Sequence, residues 1–532
     1  MKKLLLLGDE AIAQGALDAG LSGFYGYPGT PSTEIGEYIQ DSEQAKKRAI
    51  PRTWSANEKT AMESAMGMSY AGKRAIVTMK HVGLNVAADP YMNAALTGAN
   101  GGLIVAVADD PSMHSSQNEQ DSRYYARFSL MPALEPCDQQ EAYDMVAHAF
   151  DLSERYHLPV MMRVTTRLCH SRAGVTRTAE RAENEMCKPS DPNQFMLLPA
   201  FARKKYIKLL EIQADLERES EKSPFNSFTD GNDKSRGIIA CGLAYNYLME
   251  NYPDGCPHPV LKIGQYPVPR KAIAAMADSC DELLVLEEGM PLVEDSLRGL
   301  LNRSLKVRGR LDGTLFQYGE LNPAIVRQAL GMPKLPSREL PEVVTGRPPA
   351  LCVGCPHIDS YQALNEALEP WGKGHVFSDI GCYTLGFMPP YHAISSCVDM
   401  GASITMAIGA ADAGFYPAVA TIGDSTFGHS GLTGLLDAVE KNANVVVIIL
   451  DNDTTAMTGM QDSVVTGRIE QICMGLGVPE EHIRVINPLK RQHDENVKVF
   501  REEIEYEGVS VVIPRRPCIH LHGKKKTSGG AK

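Results

Sequence analysis

Two polar segments sit where hydrophobic runs end, and their residue types suit a metal ion and a diphosphate. A run over 418–422 passes into Gly423-Asp424-Ser425, and a second over 445–450 passes into Asp451-Asn452. As neighbouring parallel strands they would lie about 4.8 Å apart, with their carboxyl ends at one sheet edge. Asp424 and Asn452 would then reach one ion. A carboxylate and an amide oxygen suit Mg²⁺, which takes hard oxygen ligands and is often shared with phosphate groups. Gly423 lets the backbone come close to phosphate oxygens. A Gly-Asp pair alone often just closes a strand, so the weight rests on matching both ends of one βαβ unit.

Cysteines form a second constellation. Cys352-Val353-Gly354-Cys355-Pro356-His357 holds a C-x₂-C pair, and Cys382 follows after 26 intervening residues. Spacing alone leaves half a zinc knuckle and a redox dithiol open. A zinc site would usually show a second close pair, and the sequence has none. A 4Fe–4S cluster takes four thiolates, and the fourth can come from far along the chain. Cys518, after the last expected strand, is the candidate for it, with Cys397 and Cys473 ranked below.

These residues need scaffolds to position them. At 532 residues the chain exceeds the ~250–300 that one hydrophobic core supports, so two to four domains are expected. Its 43% hydrophobic and 22% charged residues are ordinary for a globular protein. The balance of 53 basic and 65 acidic residues, a net −12, argues against nucleic acid as a partner. No apolar run approaches the ~20 residues of a membrane span. Asp9 interrupts the leucines at 4–7 too early for a signal peptide, which needs ~7–15 apolar residues, so a cytoplasmic location is expected. Twelve dispersed cysteines are not a disulfide scaffold.

The pattern of short β runs between helical stretches predicts α/β architecture, with three parallel or mixed-sheet domains. The first, over 1–175, has strands at 23–27, 75–79, 103–108 and 159–165. Residues 176–235, with a charged helix at 201–222 and a Ser/Asn/Asp-rich end, read as a linker. A second domain over 236–340 has strands at 237–241, 260–263 and 283–286 and reads as structural. The third, over 341–522, has strands at 375–378, 418–422, 445–450 and 509–513, and 523–532 is a basic tail expected to be disordered. In such sheets ligands sit beyond the carboxyl ends of strands. Lys80, His81, His114, Arg123 and His429 lie in such loops as candidate substrate or phosphate contacts, although a structural role explains each equally well.

Gly423-Asp424-Ser425 with Asn452, 28 positions after the Asp, resembles the metal–diphosphate motif of thiamine diphosphate enzymes, with Ser425 where glycine is commonest. The resemblance implies that Asp424, the Asn452 side chain and the Thr454 carbonyl hold Mg²⁺. It places Gly401, Gly423, Ser425 and His357 at the cofactor, and makes Met400 the apolar prop that keeps the cofactor bent. Such an enzyme needs a carboxylate beside the aminopyrimidine ring to share a proton with its nitrogen. Glu58 and Glu63 open the helix after Trp54, where the helix dipole alone would explain an acid. Tyr27-Pro28-Gly29-Thr30-Pro31-Ser32-Thr33-Glu34 and Asn57-Glu58 resemble the pyrimidine-binding domain of 2-oxoacid:ferredoxin oxidoreductases. That resemblance makes Glu58 the activating acid and brings Thr30 to the substrate carboxylate.

Longer stretches, among them 8–13, 79–85 and 109–123, resemble the large (alpha) subunit of indolepyruvate ferredoxin oxidoreductases, over roughly residues 5–520. The resemblance implies two thiamine diphosphate-binding folds, a pyrimidine-type domain at 1–175 and a diphosphate-type domain at 341–522. Between them it implies a domain like the C-terminal one of transketolases. It assigns Cys352, Cys355, Cys382 and Cys518 to one 4Fe–4S cluster. The implied reaction is oxidative decarboxylation of arylpyruvates such as indolepyruvate with coenzyme A, giving an arylacetyl-CoA, CO₂ and reduced ferredoxin or another low-potential acceptor. The implied assembly is an α2β2 heterotetramer with a smaller gamma- or beta-type subunit. Large subunits of this family usually add a C-terminal ferredoxin-like domain, whereas this chain ends 14 residues after Cys518. An external acceptor or another subunit is therefore expected to take the electrons. A non-redox thiamine decarboxylase and a non-catalytic subunit that kept the fold are the rival readings.

Overall fold

The computed structural model describes residues 3–521 except 190, 192, 298, 299, 302–304, 337 and 338. The tail expected at 523–532 lies outside the described residues. Residues 1–338 form one compact unit and 339–532 another.

The first unit is organised by a seven-stranded sheet. Its order is Gln265–Tyr266, Ala133–Leu134, Val160–Thr165, Leu103–Asp109, Ala75–Lys80, Gly23–Gly26 and Arg52–Trp54. All neighbours are parallel except the first pair. The central strands are buried along their whole length, because helices cover both faces and every side chain needs an apolar partner. One such layer pairs Gly8–Asp18 with Gln139–Tyr156. The second helix starts where the Asp138 carboxylate accepts the Glu141 N–H (2.8 Å) and stops at His157, whose φ of 54° is left-handed. A Cβ at Gly15 would lie 2.6 Å from the Tyr143 carbonyl, so glycine lets the two helices approach.

A five-stranded sheet in the same unit has the order Lys306–Arg308, Glu282–Leu286, Gly237–Cys241, Val260–Ile263 and Ser227–Thr229. This bears on two expectations. The block over 236–340 does not stand apart: Ile239, Leu261 and Leu283 share one apolar core with Val77, Val105 and Met161. The segment read as a linker carries its expected charged helix as two, Pro199–Glu211 and Gln213–Glu221, and adds an antiparallel edge strand that was not expected, Ser227–Thr229. That strand is exposed throughout, so it carries no apolar alternation for the sequence to reveal.

The second unit holds an all-parallel sheet in the order Val376–Ser378, Val419–Gly423, Val445–Leu450, Val509–Pro514 and Ile483–Ile486. Ile404, Ile422, Ile449 and Val511 pack on one face, and Tyr361, Val446, Ile448 and Phe500 on the other. Among the described residues no helix is long and apolar enough to cross a membrane.

Candidate active site

In the first unit, Gly26 pairs with both Trp54 and Thr78, and Lys80 pairs with Ala108. This register brings the loops after four strands to one edge. Glu58 begins the helix Glu58–Tyr70 just beyond it. The Asn57 side chain caps that helix by accepting the Thr60 N–H at 2.9 Å, and this fixes where the first turn sits. Glu58 is buried, 6% exposed. The space its carboxylate occupies exists because Gly83 has no side chain: a Cβ there would lie 2.4 Å from Glu58 Oε1. Glu63, the other acid of this helix, pairs with Lys59 at the surface.

Thr30 and Lys80 are joined through one serine. The Lys80 ammonium donates to the Ser115 carbonyl (2.7 Å) and hydroxyl (3.2 Å), and that hydroxyl donates to the Thr30 carbonyl (3.1 Å). Asp110, 4.0 Å from Lys80, accepts from the Ser115 N–H and the Ser116 and Thr166 hydroxyls, which pins the loop. Burial pulls the Lys80 pKa down to about 8, against the opposing pull of Asp110. His81 is buried with Nε2 3.2 Å from the Asn118 carbonyl, and His114 is an exposed neighbour of Glu320.

Arg123 does not reach this edge as a substrate contact. It is 1% exposed, and its donors go to Asp121, the Tyr266 hydroxyl and the carbonyls of Glu288 and Met290, with Glu135 and Glu287 alongside. Together with Arg163, which pairs with Asp109 and Glu135, it is a buried clamp within the first unit.

In the second unit, Gly423 pairs with Leu450, so Asp424 and Asn452 follow their strands at the same edge. Asp424, Asn452 and Thr454 are all buried. Among the described residues Asp424 Oδ2 has no hydrogen-bond partner. Burial, with Asp451 and Asp453 nearby, pushes its carboxyl well above the usual carboxylate range. A buried, orphaned carboxylate oxygen beside further acids is the environment that a divalent cation relieves, so the donor set fits Mg²⁺. Asn452 Oδ1 accepts the Thr454 N–H (3.2 Å), and its amide lies 3.4 Å from His357 Nε2. Burial lowers the His357 pKa to about 4. The Ser425 hydroxyl lies 2.7 Å from that of Thr455.

A Cβ on Gly423 would lie 2.6 Å from the ring of Tyr383, whose hydroxyl bonds the Asp379 carboxylate. Asp379 also accepts from Ser403 (2.5 Å), at the helix that follows Met400 and Gly401, and burial raises its carboxyl to about 6. Gly401 has φ +94°, and Met400 is half-buried. His429 is buried in a single π-helical turn, Nδ1 2.5 Å from Ser430 Oγ. Asp379 and Tyr383 escape the sequence reading, although they flank Cys382 in a stretch already marked by its cysteine.

The loop at 352–357 and the segment at 515–520 are drawn together by Arg516, which bonds the Gly354 carbonyl (3.2 Å) and Asp359 (3.0 Å). Cys355 N–H donates to the Cys352 carbonyl, and Cys518 N–H donates to the Asn452 carbonyl (3.0 Å). Burial pushes the Cys355 thiol up to about 11 and Cys382 to about 12, and in each case neighbouring thiols, Cys352 and Cys518 among them, push further. Arg516 and the Cys518 N–H thus bring the segments that carry Cys352, Cys355 and Cys518 to the Asn452 strand end. Cys473 lies instead in the apolar core, and Cys397 is exposed beside Thr384.

Residues 14–212 match the family model described as pyruvate flavodoxin/ferredoxin oxidoreductase, thiamine diphosphate-binding, and 379–512 match that of the thiamine pyrophosphate enzyme C-terminal TPP-binding domain. The two edges therefore belong to a thiamine diphosphate-dependent 2-oxoacid oxidoreductase. Curated relatives described as indolepyruvate oxidoreductase subunit IorA align along nearly the whole chain. The Archaeoglobus fulgidus protein is 40% identical over 99% of this chain and 88% of its own length. The Methanothermobacter thermautotrophicus protein is 41% identical over 98% and 88%, and that of Pyrococcus abyssi 37% over 99% and 88%. The chain belongs to this IorA family of indolepyruvate oxidoreductase subunits.

Proposed function

We propose that this chain is the catalytic subunit that oxidatively decarboxylates arylpyruvates, indolepyruvate among them, with coenzyme A. The products are an arylacetyl-CoA, CO₂ and a reduced ferredoxin or other low-potential acceptor, and a smaller subunit completes an α2β2 assembly. The observation that carries the reading is the Asp424–Asn452 pair of the second unit, buried at one sheet edge with an orphaned carboxylate oxygen and bonded through the Asn452 carbonyl to the Cys518 segment; a buried Glu58 in the first unit supports it separately.

When bound, thiamine diphosphate supplies the carbanion that attacks the keto carbon and accepts the electrons of the lost carboxylate. Glu58 holds a proton against the aminopyrimidine nitrogen, in a pocket that Gly83 keeps open. Asp424, Asn452 and the Thr454 carbonyl hold Mg²⁺, and Gly423, against which the Tyr383 ring packs, lies beside the diphosphate. Met400, Gly401, Ser425 and His357 line the cofactor. Lys80, with two of its three donors spent on Ser115, offers the third to the substrate carboxylate beside Thr30. His429, buried in the turn after the Asp424 edge, is a candidate contact for the substrate. Cys352, Cys355, Cys382 and Cys518 hold one 4Fe–4S cluster, and the Cys518–Asn452 hydrogen bond links cluster and metal sites.

Anaerobic co-purification with the smaller subunit tests this reading, through iron, sulfide and thiamine assays and activity on indolepyruvate, phenylpyruvate and pyruvate. The expected result is about four iron atoms per chain and coenzyme A-dependent CO₂ release that is fastest with the aryl substrates. A colourless, iron-free protein that still decarboxylates would instead identify the non-redox enzyme.

A further inference from the structure

A second polar cluster lies in the first unit, and nothing in the thiamine chemistry uses it. Asp9 stands in the first turn of Gly8–Asp18, Glu34 in the first turn of Thr33–Asp41, and His170 ends the helix Thr166–His170. These three segments come from well-separated parts of the sequence. Even so, one carboxylate oxygen of Asp9, one of Glu34 and a ring nitrogen of His170 all lie within 4.8 Å of one another. His170 Nε2 is 3.5 Å from Glu34 Oε1.

A first-turn acid is ordinarily explained by its own helix dipole. That accounts for each carboxylate singly and not for their convergence, which without a cation leaves burial and the neighbouring Glu34 to raise the Asp9 carboxyl to about 8. It also leaves the oxygens unexplained. Asp9 is fully buried, and among the described residues no nitrogen or oxygen donor bonds either of its oxygens, the Cys169 thiol being its one donor. Glu34 Oε2 is buried and unbonded as well. Buried carboxylate oxygens with no donor stronger than a thiol are costly unless a proton or a cation completes them.

The donor set says which cation. Magnesium and calcium take all-oxygen shells, whereas one imidazole with two carboxylates is a set that zinc and its first-row neighbours accept, with a position left for water. We propose that Asp9, Glu34 and His170 bind a divalent transition-metal ion, zinc in the first instance. The ion ties together the starts of two helices and the end of a third, and so holds in place the helix that directly follows the Thr30 turn. This site stands whether or not the thiamine reading does.

The test uses the full chain with its smaller subunit, stripped with EDTA and dialysed against Zn²⁺, Mn²⁺ or Mg²⁺ in turn. Metal per chain is measured by mass spectrometry alongside iron, and thermal unfolding is followed with and without Zn²⁺. Zinc captured by emptied cluster cysteines is common to all variants, so the readout is a difference at equal iron content. Wild type is expected to retain about one more zinc per chain than Asp9→Asn or His170→Ala, and zinc is expected to raise the Tm of wild type alone. The His170 side chain is 35% exposed, so His170→Ala is a variant the fold can carry if Asp9→Asn fails to fold. Equal zinc content and equal Tm response in wild type and His170→Ala, or retention of Mg²⁺ alone, would overturn the site.

Discussion

Glu58 Oε1 occupies the position where a side chain on Gly83 would begin, 2.4 Å from the ideal Cβ. Gly83 lies within the helix His81–Val86 and has an ordinary negative φ, so alanine costs its backbone nothing and gains about 1 kcal/mol of helix propensity. What must give way is the end of the Glu58 side chain. Gly83→Ala is therefore expected to leave Tm unchanged or slightly raised while kcat/KM falls about 100-fold, the usual cost of displacing a reacting group by an ångström. Gly67→Ala, in the Glu58 helix with nothing within 4 Å, is the matched control and should raise Tm slightly while leaving activity unchanged. Loss of stability in Gly83→Ala, or activity equal to wild type, would separate Glu58 from the chemistry.

Lys80 gives the substrate site a pH signature. Burial holds its pKa near 8, so it carries charge below that value and loses it above. KM for the 2-oxoacid should therefore rise as pH climbs through 8, with kcat affected less. Lys80→Gln should start with a high KM and show no such rise. Stability moves the other way. Between about 8 and the unfolded value of 10.5 the unfolded chain holds the proton more tightly, so the cost of burying Lys80 is relieved as pH rises. A KM profile in Lys80→Gln that parallels wild type would assign the titration to another group.

Arg123 has the opposite character. Removing its guanidinium takes the paired cation from buried Asp121 and Glu287 while Arg163 still holds Glu135, and breaking such a network from one side costs about 3–5 kcal/mol. Arg123→Ala should unfold at markedly lower denaturant concentration. At temperatures where it stays folded, KM for the oxoacid should match wild type, and a KM increase without loss of stability would return Arg123 to the substrate.

The contrast between Arg123 and Asp424 shows what the sequence can carry. Asp424 and Asn452 are legible because each directly follows an apolar run, and parallel neighbours with coincident ends put such residues together without further information. Arg123 lies in an equally polar loop, but what fixes its role are Glu135, Tyr266 and Glu287, which no local pattern links to it. The separation into three domains fails for a related reason. The apolar faces of Gly237–Cys241 and Glu282–Leu286 are plain in the sequence, and the surface that covers them is not. Asp9, Glu34 and His170 are likewise ordinary residues until three helix ends converge.

Asp424 should betray its role through stability before any activity is measured. Its carboxyl titrates well above the ordinary value in the folded chain, so the native state holds a proton that the unfolded state has released. The cofactor-free protein should therefore lose stability as pH rises from about 4 upward, and Asp424→Asn should flatten that decline. Addition of Mg²⁺ and thiamine diphosphate should raise Tm for wild type only. Equal stabilisation of both proteins by the cofactor would remove Asp424 from the metal site.

Cys518 distinguishes a cluster ligand from a core thiol. Its N–H bonds the Asn452 carbonyl, and its sulfur lies near enough to Cys355 and Cys382 to raise both thiols. Cys473, by comparison, is walled in by Ile469 and other apolar residues of the sheet core. Cys518→Ala should purify with less than half the wild-type iron and without the visible absorption of a 4Fe–4S cluster, because three thiolates hold a cubane poorly. Cys473→Ala should keep full iron and lose only about 0.5–3 kcal/mol of packing, and Cys397→Ala should be neutral in both respects. Iron lost from Cys397→Ala and kept in Cys518→Ala would move the fourth ligand to the exposed turn beside Thr384. It would also break the link between the cluster and the Asn452 strand end.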